Sequence, residues 1–140
     1  MSVQQPILWG RILLAGLLAE ASVMVGFFLL LGLAWLAGVP EIAMPMTPLD
    51  YVDALVASFL SIFIVTRWVA RRLEGGFVVH GILIALVAMS LFLVMLGATA
   101  GSIEQPILYW LAHGLKFAGG IAGGLVAERR RHHAVGVQAA

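Results

Sequence analysis

Four long runs of apolar residues dominate the chain, separated by short segments rich in glycine, proline or charge. They predict helices over about residues 12–36, 51–69, 77–100 and 106–127. About 20 apolar residues suffice to cross roughly 30 Å of hydrocarbon as a helix. The runs are continuous, which disfavours the alternating pattern of lipid-facing barrel strands. We therefore expect an all-α membrane protein in which four transmembrane helices form a bundle.

Basic residues lie on one side of these predicted spans. Arg11 precedes the first span, and six further arginines lie at the ends of the second and fourth spans or directly after them: Arg67, Arg71, Arg72, Arg129, Arg130 and Arg131. Because Lys and Arg are retained in the cytoplasm, we expect a multi-pass protein of a bacterial-type inner (cytoplasmic) membrane with both termini cytoplasmic. The arginines are then expected to contact lipid headgroups, with residues 128–140 as a basic cytoplasmic tail.

The composition agrees with a single integral membrane domain over residues 1–140. Hydrophobic residues make up 62% of the chain and charged residues 11%, whereas soluble domains have about 45–50% apolar and about 25% charged residues. The absence of cysteine excludes disulfides, thiolate zinc sites and cysteine-ligated iron–sulfur clusters. A net charge of +1 gives no basis for nucleic-acid binding.

Motifs of known enzyme chemistry are missing from the sequence. It contains no HExxH, no GxSxG and no Cys that could act with a His. We therefore predict a protein that is not an enzyme, with no catalytic residues, no metal site and no cofactor.

The first and third runs share residues at one constant offset. Gly16 aligns with Gly81 and Phe27 with Phe92, among other matches. The pattern predicts two hairpins in the same orientation, related by an axis along the membrane normal. Chance similarity between two apolar helices is the alternative interpretation.

Small residues at helical spacing predict close helix packing, because lipid removes the hydrophobic drive for helices to associate. The patterns are Gly119 with Gly123, Gly120 with Gly124, Gly97 with Gly101, and the face formed by Ala54, Ser58 and Ser61. We favour partner helices within this chain, and a second copy is the alternative.

Glu20 and Lys116 are the ionisable residues nearest the middle of their predicted spans. A rise of about 1.5 Å per residue places Glu20 about 13 Å beyond Arg11 and gives the two residues compatible depths. We predict that they form an ion pair. The pair either fixes helix packing alone, or makes Glu20 a proton or cation carrier with Lys116 as its competitor or sensor.

Two histidines lie within the spans at different depths. His80 is expected near the cytoplasmic surface of the third helix, and His113 one turn before Lys116 in the outer half of the fourth. Different depths make a poor shared metal site. Hydrogen bonding within the bundle is the favoured interpretation, and a proton relay is the alternative.

The pair Ala19-Glu20 in the first of four spans resembles the small multidrug resistance transporters. A first-helix Glu in a similar Leu-Ala-Glu setting exchanges protons for cationic drugs in that family, so the resemblance implies a carrier role for Glu20. The chain departs from the family in two respects. Its one-sided arginines oppose antiparallel pairing of two copies, and Lys116 adds a positive charge near the carboxylate.

A second resemblance covers more of the chain. The Arg-Leu-Glu-Gly-Gly turn before His80, the Gly119–Gly124 segment and the arginine tail resemble small uncharacterised four-helix inner-membrane proteins of bacteria. This resemblance implies a compact bundle and no particular activity.

We therefore expect a non-enzymatic structural or accessory membrane protein that self-associates or binds a larger membrane complex. A small proton-coupled transporter or channel using Glu20 is the alternative. A lipid-binding protein using the cytoplasmic arginines is a third hypothesis.

Overall fold

Four helices make up the fold in the computed structural model, which describes residues 7–38, 48–98 and 107–138. They are α1 (Trp9–Leu36), α2 (Pro48–Ala70), α3 (Phe77–Ala98) and α4 (Ile107–Gln138). The predicted all-helical class and the four helices are confirmed within these residues. The predicted last two residues of the third helix lie outside the described residues, as does the first of the fourth.

The fourth helix is longer than predicted. It continues past Ala127 to Gln138, so the expected basic tail forms the last turns of α4. This segment contains no proline, and its arginines are good helix formers. Loss of hydropathy marks where an apolar span ends, but it does not end the helix.

The turn between α2 and α3 follows the predicted glycine pair. Gly76 has φ +64°, in the left-handed region where a Cβ would be strained. The backbone N–H of His80 donates to the Gly76 carbonyl at 3.1 Å, which starts α3 directly after the turn. The glycines therefore bring the end of α2 and the start of α3 together.

The helices pack in a ring in which α1 and α4 occupy opposite corners. Each of these two helices packs against both α2 and α3, and no Cα atoms of the described parts of α1 and α4 lie within 8 Å of each other. A twofold axis along the membrane normal would instead place α1 opposite α3. The predicted symmetric pair of hairpins is therefore wrong, because α1 and α3 pack side by side where Gly16 meets Val87.

Two helices contain stretches long and apolar enough to cross a membrane. These stretches are Trp9–Leu33 in α1 and Phe77–Met95 in α3. The apolar stretch of α2, Ala54–Ala70, is shorter. The middle of α4 carries Lys116 and five glycines, which lower its hydropathy. The structure thus shows an all-helical chain with two candidate membrane spans.

Small side chains form much of the core. Fully or nearly fully buried alanines line α1, α3 and α4, namely Ala15, Ala19, Ala85, Ala88 and Ala112. In α1, no described residue after Glu20 is buried. The packed part of α1 therefore ends at the carboxylate of Glu20.

Candidate functional site

An ion pair joins the two helices at opposite corners of the bundle. The Lys116 ammonium donates a hydrogen bond to Glu20 Oε2 at 2.5 Å. Lys116 is 1% exposed and Glu20 is 8% exposed. The predicted ion pair is therefore present, and it lies inside the protein rather than on a helix surface.

Small neighbours make room for the two long side chains. Ala15, Gly16 and Ala19 precede Glu20 on the buried side of α1, and their size lets this helix approach α3. Ala112 and Gly120 lie one turn before and after Lys116 on α4, and both are buried. The lysine stem can therefore reach across the bundle between α2 and α3.

Phe92 of α3 forms an aromatic wall beside the pair. Its ring centroid lies 5.7 Å from the Lys116 ammonium, within range of a cation–π interaction. The His113 ring stacks on Phe92 with centroids 3.7 Å apart, and Trp110 packs edge-on at 6.4 Å. Glu20, Phe92, His113 and Lys116 together form what we call the central cluster.

The central cluster contains one residue that the sequence analysis did not single out. Phe92 looks like any other apolar residue of a spanning helix, and it appeared only as a match in the proposed repeat. The sequence analysis placed His113 one turn before Lys116, and in the structure both side chains lie against the Phe92 ring.

His80 lies apart from the central cluster, near the α2–α3 turn. Its Nδ1 lies 2.9 Å from the Gly76 carbonyl, and its Nε2 lies 3.5 Å from the backbone nitrogen of Leu8. Because the Leu8 N–H can only donate, the proton of a neutral ring is assigned to Nδ1. His80 thus ties the start of α1 to the turn, in agreement with its favoured interpretation as a hydrogen-bonding residue.

Neither histidine belongs to a described group of potential metal ligands. Within the part of the chain that the structure describes, no group of three His, Asp or Glu side chains could hold a metal ion. His80 binds the backbone of the turn, while His113 stacks on Phe92.

One glycine pair of α4 packs against α2. A Cβ added at Gly119 would collide with the Phe59 carbonyl, and one added at Gly123 would lie 2.9 Å from the Phe63 carbonyl oxygen. The backbones of α2 and α4 are therefore in direct contact along this face.

The other glycine pair of α4 packs against α3. Gly120 and Gly81 meet backbone to backbone, so that a Cβ on either would overlap the carbonyl group of the other. A Cβ on Gly124 would lie 2.7 Å from the Cα of Val78. Both glycine faces of α4 are thus occupied within the chain, as the sequence analysis favoured.

The structure describes only some of the other small residues that were predicted to pack closely. Ser58 is buried on α2, Ala54 is half-buried, and the Ser61 hydroxyl donates to the Ser58 carbonyl at 3.3 Å. Gly101 lies outside the described residues, and so do the surroundings of Gly97. Their predicted packing stays a prediction.

The arginines lie where α2 and α4 end, and they differ in what they contact. Arg131 donates to the Leu73 carbonyl at 2.7 Å, and Arg67 lies 5.7 Å from the centroid of the Phe63 ring. The other predicted headgroup arginines are exposed on this end of the molecule, namely Arg71, Arg72, Arg129 and Arg130. The role of Arg131 was not predicted, because it depends on α4 continuing beside the turn.

Three cavities of about 430, 440 and 410 Å³ lie at this arginine-bearing end. All three are formed by residues of α2, the α2–α3 turn, the start of α3 and the last turns of α4. None of the three is lined by Glu20, His113 or Lys116. The central cluster and these cavities are thus separate features of the molecule.

Comparisons of the chain with protein-family models, with curated proteins and with solved structures give no match. The function therefore has to follow from the chemistry of the central cluster and from the packing around it.

Proposed function

We propose that this protein is a non-enzymatic structural or accessory protein of the inner membrane. In this proposal all four helices cross the bilayer, and both termini lie in the cytoplasm. The two candidate spans and the restriction of arginine to one end of the bundle support this arrangement. The buried Glu20–Lys116 pair, which links two helices whose described Cα atoms all lie more than 8 Å apart, is the observation that carries the structural role.

The geometry of the pair favours a fixed link over a carrier. A carrier carboxylate must leave its partner to take up a proton or a cation, then return. Here the ammonium is almost fully enclosed and lies beside the Phe92 ring. Separating a buried pair costs several kcal/mol, since each charge would lose its compensation in a medium of low dielectric constant. The pair is therefore suited to holding α1 against the rest of the bundle.

An accessory role needs a surface for a partner. The glycine faces of α4 are already occupied, whereas large apolar side chains project from the second half of α1, including Phe28, Leu29 and Leu33. A second copy or a larger membrane complex would meet the protein there. Co-purification with a larger assembly in mild detergent supports this role, and a stable monomer without a partner counts against it.

A Glu20→Gln variant tests the proposed function. We expect reconstituted vesicles to show the same cation-driven proton flux with this variant as with the wild type, while its melting temperature in detergent falls. Glu128→Gln serves as the control, because it removes an exposed carboxylate from α4. Flux that depends on Glu20, together with unchanged stability, would overturn the structural role.

A small proton-coupled transporter or channel using Glu20 is the second candidate. One observation favours it: the Glu20 side chain keeps 10% of its surface exposed, while that of Lys116 keeps 1%. The carboxylate is therefore the member of the pair that the protein encloses less completely. Wild-type proton flux driven by a gradient of an organic cation, abolished by Glu20→Gln, would establish this function instead.

A further inference from the structure

A groove between α2 and the last turns of α4 concentrates positive charge beside apolar surface. It has a volume of about 430 Å³ and is lined by Ile64, Arg67, Trp68, Arg71, Ala127 and Arg130, among others. We call it the arginine groove. It exists because α4 continues as a helix past Ala127, which places Arg130 opposite the end of α2.

The described lining of the arginine groove carries positive charge and no negative charge. None of its lining residues is acidic, whereas Glu74 and Glu128 line the neighbouring cavities. The charge of the described lining is therefore carried by three guanidinium groups. Three guanidinium groups around one space favour an anion with several oxygen acceptors, and a phosphate group fits this requirement.

The apolar side of the groove continues along α2. Ile64 is 60% exposed and Trp68 is 47% exposed. They belong to a stripe of exposed apolar residues at every fourth position, which we call the α2 stripe: Val52, Val56, Leu60, Ile64 and Trp68. Sixteen residues of helix extend about 24 Å. The α2 stripe therefore leads from the arginine groove across most of the thickness of a hydrocarbon layer.

We propose that the arginine groove binds the headgroup of an anionic phospholipid. The phosphate lies between the guanidinium groups of Arg67, Arg71 and Arg130, and one acyl chain follows the α2 stripe. Basic pockets between helices on the cytoplasmic side of a membrane are suited to such headgroups. This inference rests on the membrane insertion proposed above, which puts the arginines at the cytoplasmic surface.

Arginines outside the groove provide a matched control. Arg72 and Arg129 do not line it, and neither does Arg11 near the start of α1. Replacing these three with glutamine removes the same charge from the same end of the protein. General attraction to an anionic membrane would suffer equally in both triple variants, whereas a defined site would suffer only when its own arginines change.

Quenching of Trp68 fluorescence by brominated lipids tests the proposal. The full chain carries Trp9→Phe, Trp35→Phe and Trp110→Phe, so that Trp68 in the groove is the only tryptophan left. It is reconstituted into vesicles of unlabelled phosphatidylcholine. Brominated phosphatidylglycerol or brominated phosphatidylcholine then replaces an increasing fraction of the lipid.

We expect phosphatidylglycerol to compete for the Trp68 site about fivefold or more better than phosphatidylcholine. Arg67→Gln, Arg71→Gln and Arg130→Gln together should abolish this preference, and the control triple should keep it. Circular dichroism checks the fold of both, and the single variant Arg130→Gln should weaken the preference in the same direction.

Three results would overturn the proposal in distinguishable ways. Equal quenching by both lipids would place Trp68 in ordinary lipid with no headgroup site. Equal loss of preference in both triple variants would reduce the effect to general surface charge. Displacement of brominated phosphatidylglycerol by inorganic phosphate at constant ionic strength would show a site for soluble phosphate. Absence of quenching by either lipid would instead contradict the membrane insertion itself.

Discussion

The helices at opposite corners of the bundle, α1 and α4, are held in place in different ways. α1 is the more apolar helix, yet most of its large side chains are exposed, with Phe28 66% exposed. α4 carries a lysine, a histidine and five glycines between His113 and Gly124, and its backbone touches α2 and α3 directly. The more apolar of these two helices is thus the one with the more exposed side chains.

This contrast shows that small residues and polar contacts organise the bundle, while apolar side chains mainly provide surface. In the membrane setting proposed above, leucine gains little by leaving lipid for a protein core, so α1 has little reason to bury its leucines. Close backbone approach and interhelical hydrogen bonds remain as specific attractions. For α1 these are Gly16 against α3 and the bond from Lys116 to Glu20. The contrast can be tested by changing each kind of contact in turn.

Glu20→Ala should have the largest effect. It removes the polar link of α1 and leaves the Lys116 ammonium buried without its counter-ion, which should lower the free energy of unfolding by about 3–5 kcal/mol. Unfolding in mixed micelles, followed by circular dichroism, measures this difference. Glu128→Ala is the matched control, because this carboxylate is exposed on α4 and should change stability little. Equal stability of the two variants would contradict the role assigned to the pair.

Gly120→Ala should come next, because its Cβ would overlap the backbone carbonyl of Gly81 and push α3 away from α4. Overpacking of this kind costs about 1–3 kcal/mol. Gly114→Ala is the control on the same helix, where a Cβ meets nothing within 4 Å. That change should be neutral, or stabilise α4 by up to about 1 kcal/mol. Similar melting temperatures for both variants would show that the glycine contact is unimportant.

Arg131→Gln tests the continuation of α4 with a smaller expected effect. The change removes the hydrogen bond to the Leu73 carbonyl and should cost about 1 kcal/mol. Arg129→Gln removes the same charge from a neighbouring exposed position and should leave the melting temperature unchanged. Hydrogen exchange at the end of α2 should accelerate only in the Arg131 variant. Acceleration in both would point to a general charge effect.

Phe28→Ala should have the smallest effect, below about 0.5 kcal/mol, despite the size of the side chain removed. Phe28 is exposed on α1, so its loss creates no cavity in the protein. Phe92→Ala removes the same ring from the central cluster and should cost about 3 kcal/mol. Comparable losses of unfolding free energy in the two variants would mean that the second half of α1 is packed rather than exposed.

The sequence analysis located the helices and the ion pair, because both depend on distance along the chain. The apolar runs set the positions of the helices, and the rise per residue gave Glu20 and Lys116 similar depths. Two opposite charges at one depth in a medium of low dielectric constant have strong reason to meet.

Features that depend on helix order or helix rotation were not predictable in the same way. The depth of a residue along its predicted span does not reveal that α1 and α4 occupy opposite corners of the bundle. The predicted symmetric pair of hairpins was therefore wrong. Nor does depth reveal that Phe92 faces Lys116, or that α4 runs on beside the turn to bring Arg131 to Leu73. Helix order and rotation depend on which small residues allow two backbones to approach. Only the folded chain shows which residues these are.

A double-mutant cycle on Glu20 and Lys116 tests most directly whether this pair is the structural link between α1 and the rest of the bundle. Unfolding free energies are measured for the wild type, Glu20→Ala, Lys116→Met and the double variant under one condition. We expect a coupling energy of about 2 kcal/mol or more, with the double variant more stable than Glu20→Ala alone, since no buried charge is then left unpaired. Additive effects of the two changes would contradict the account.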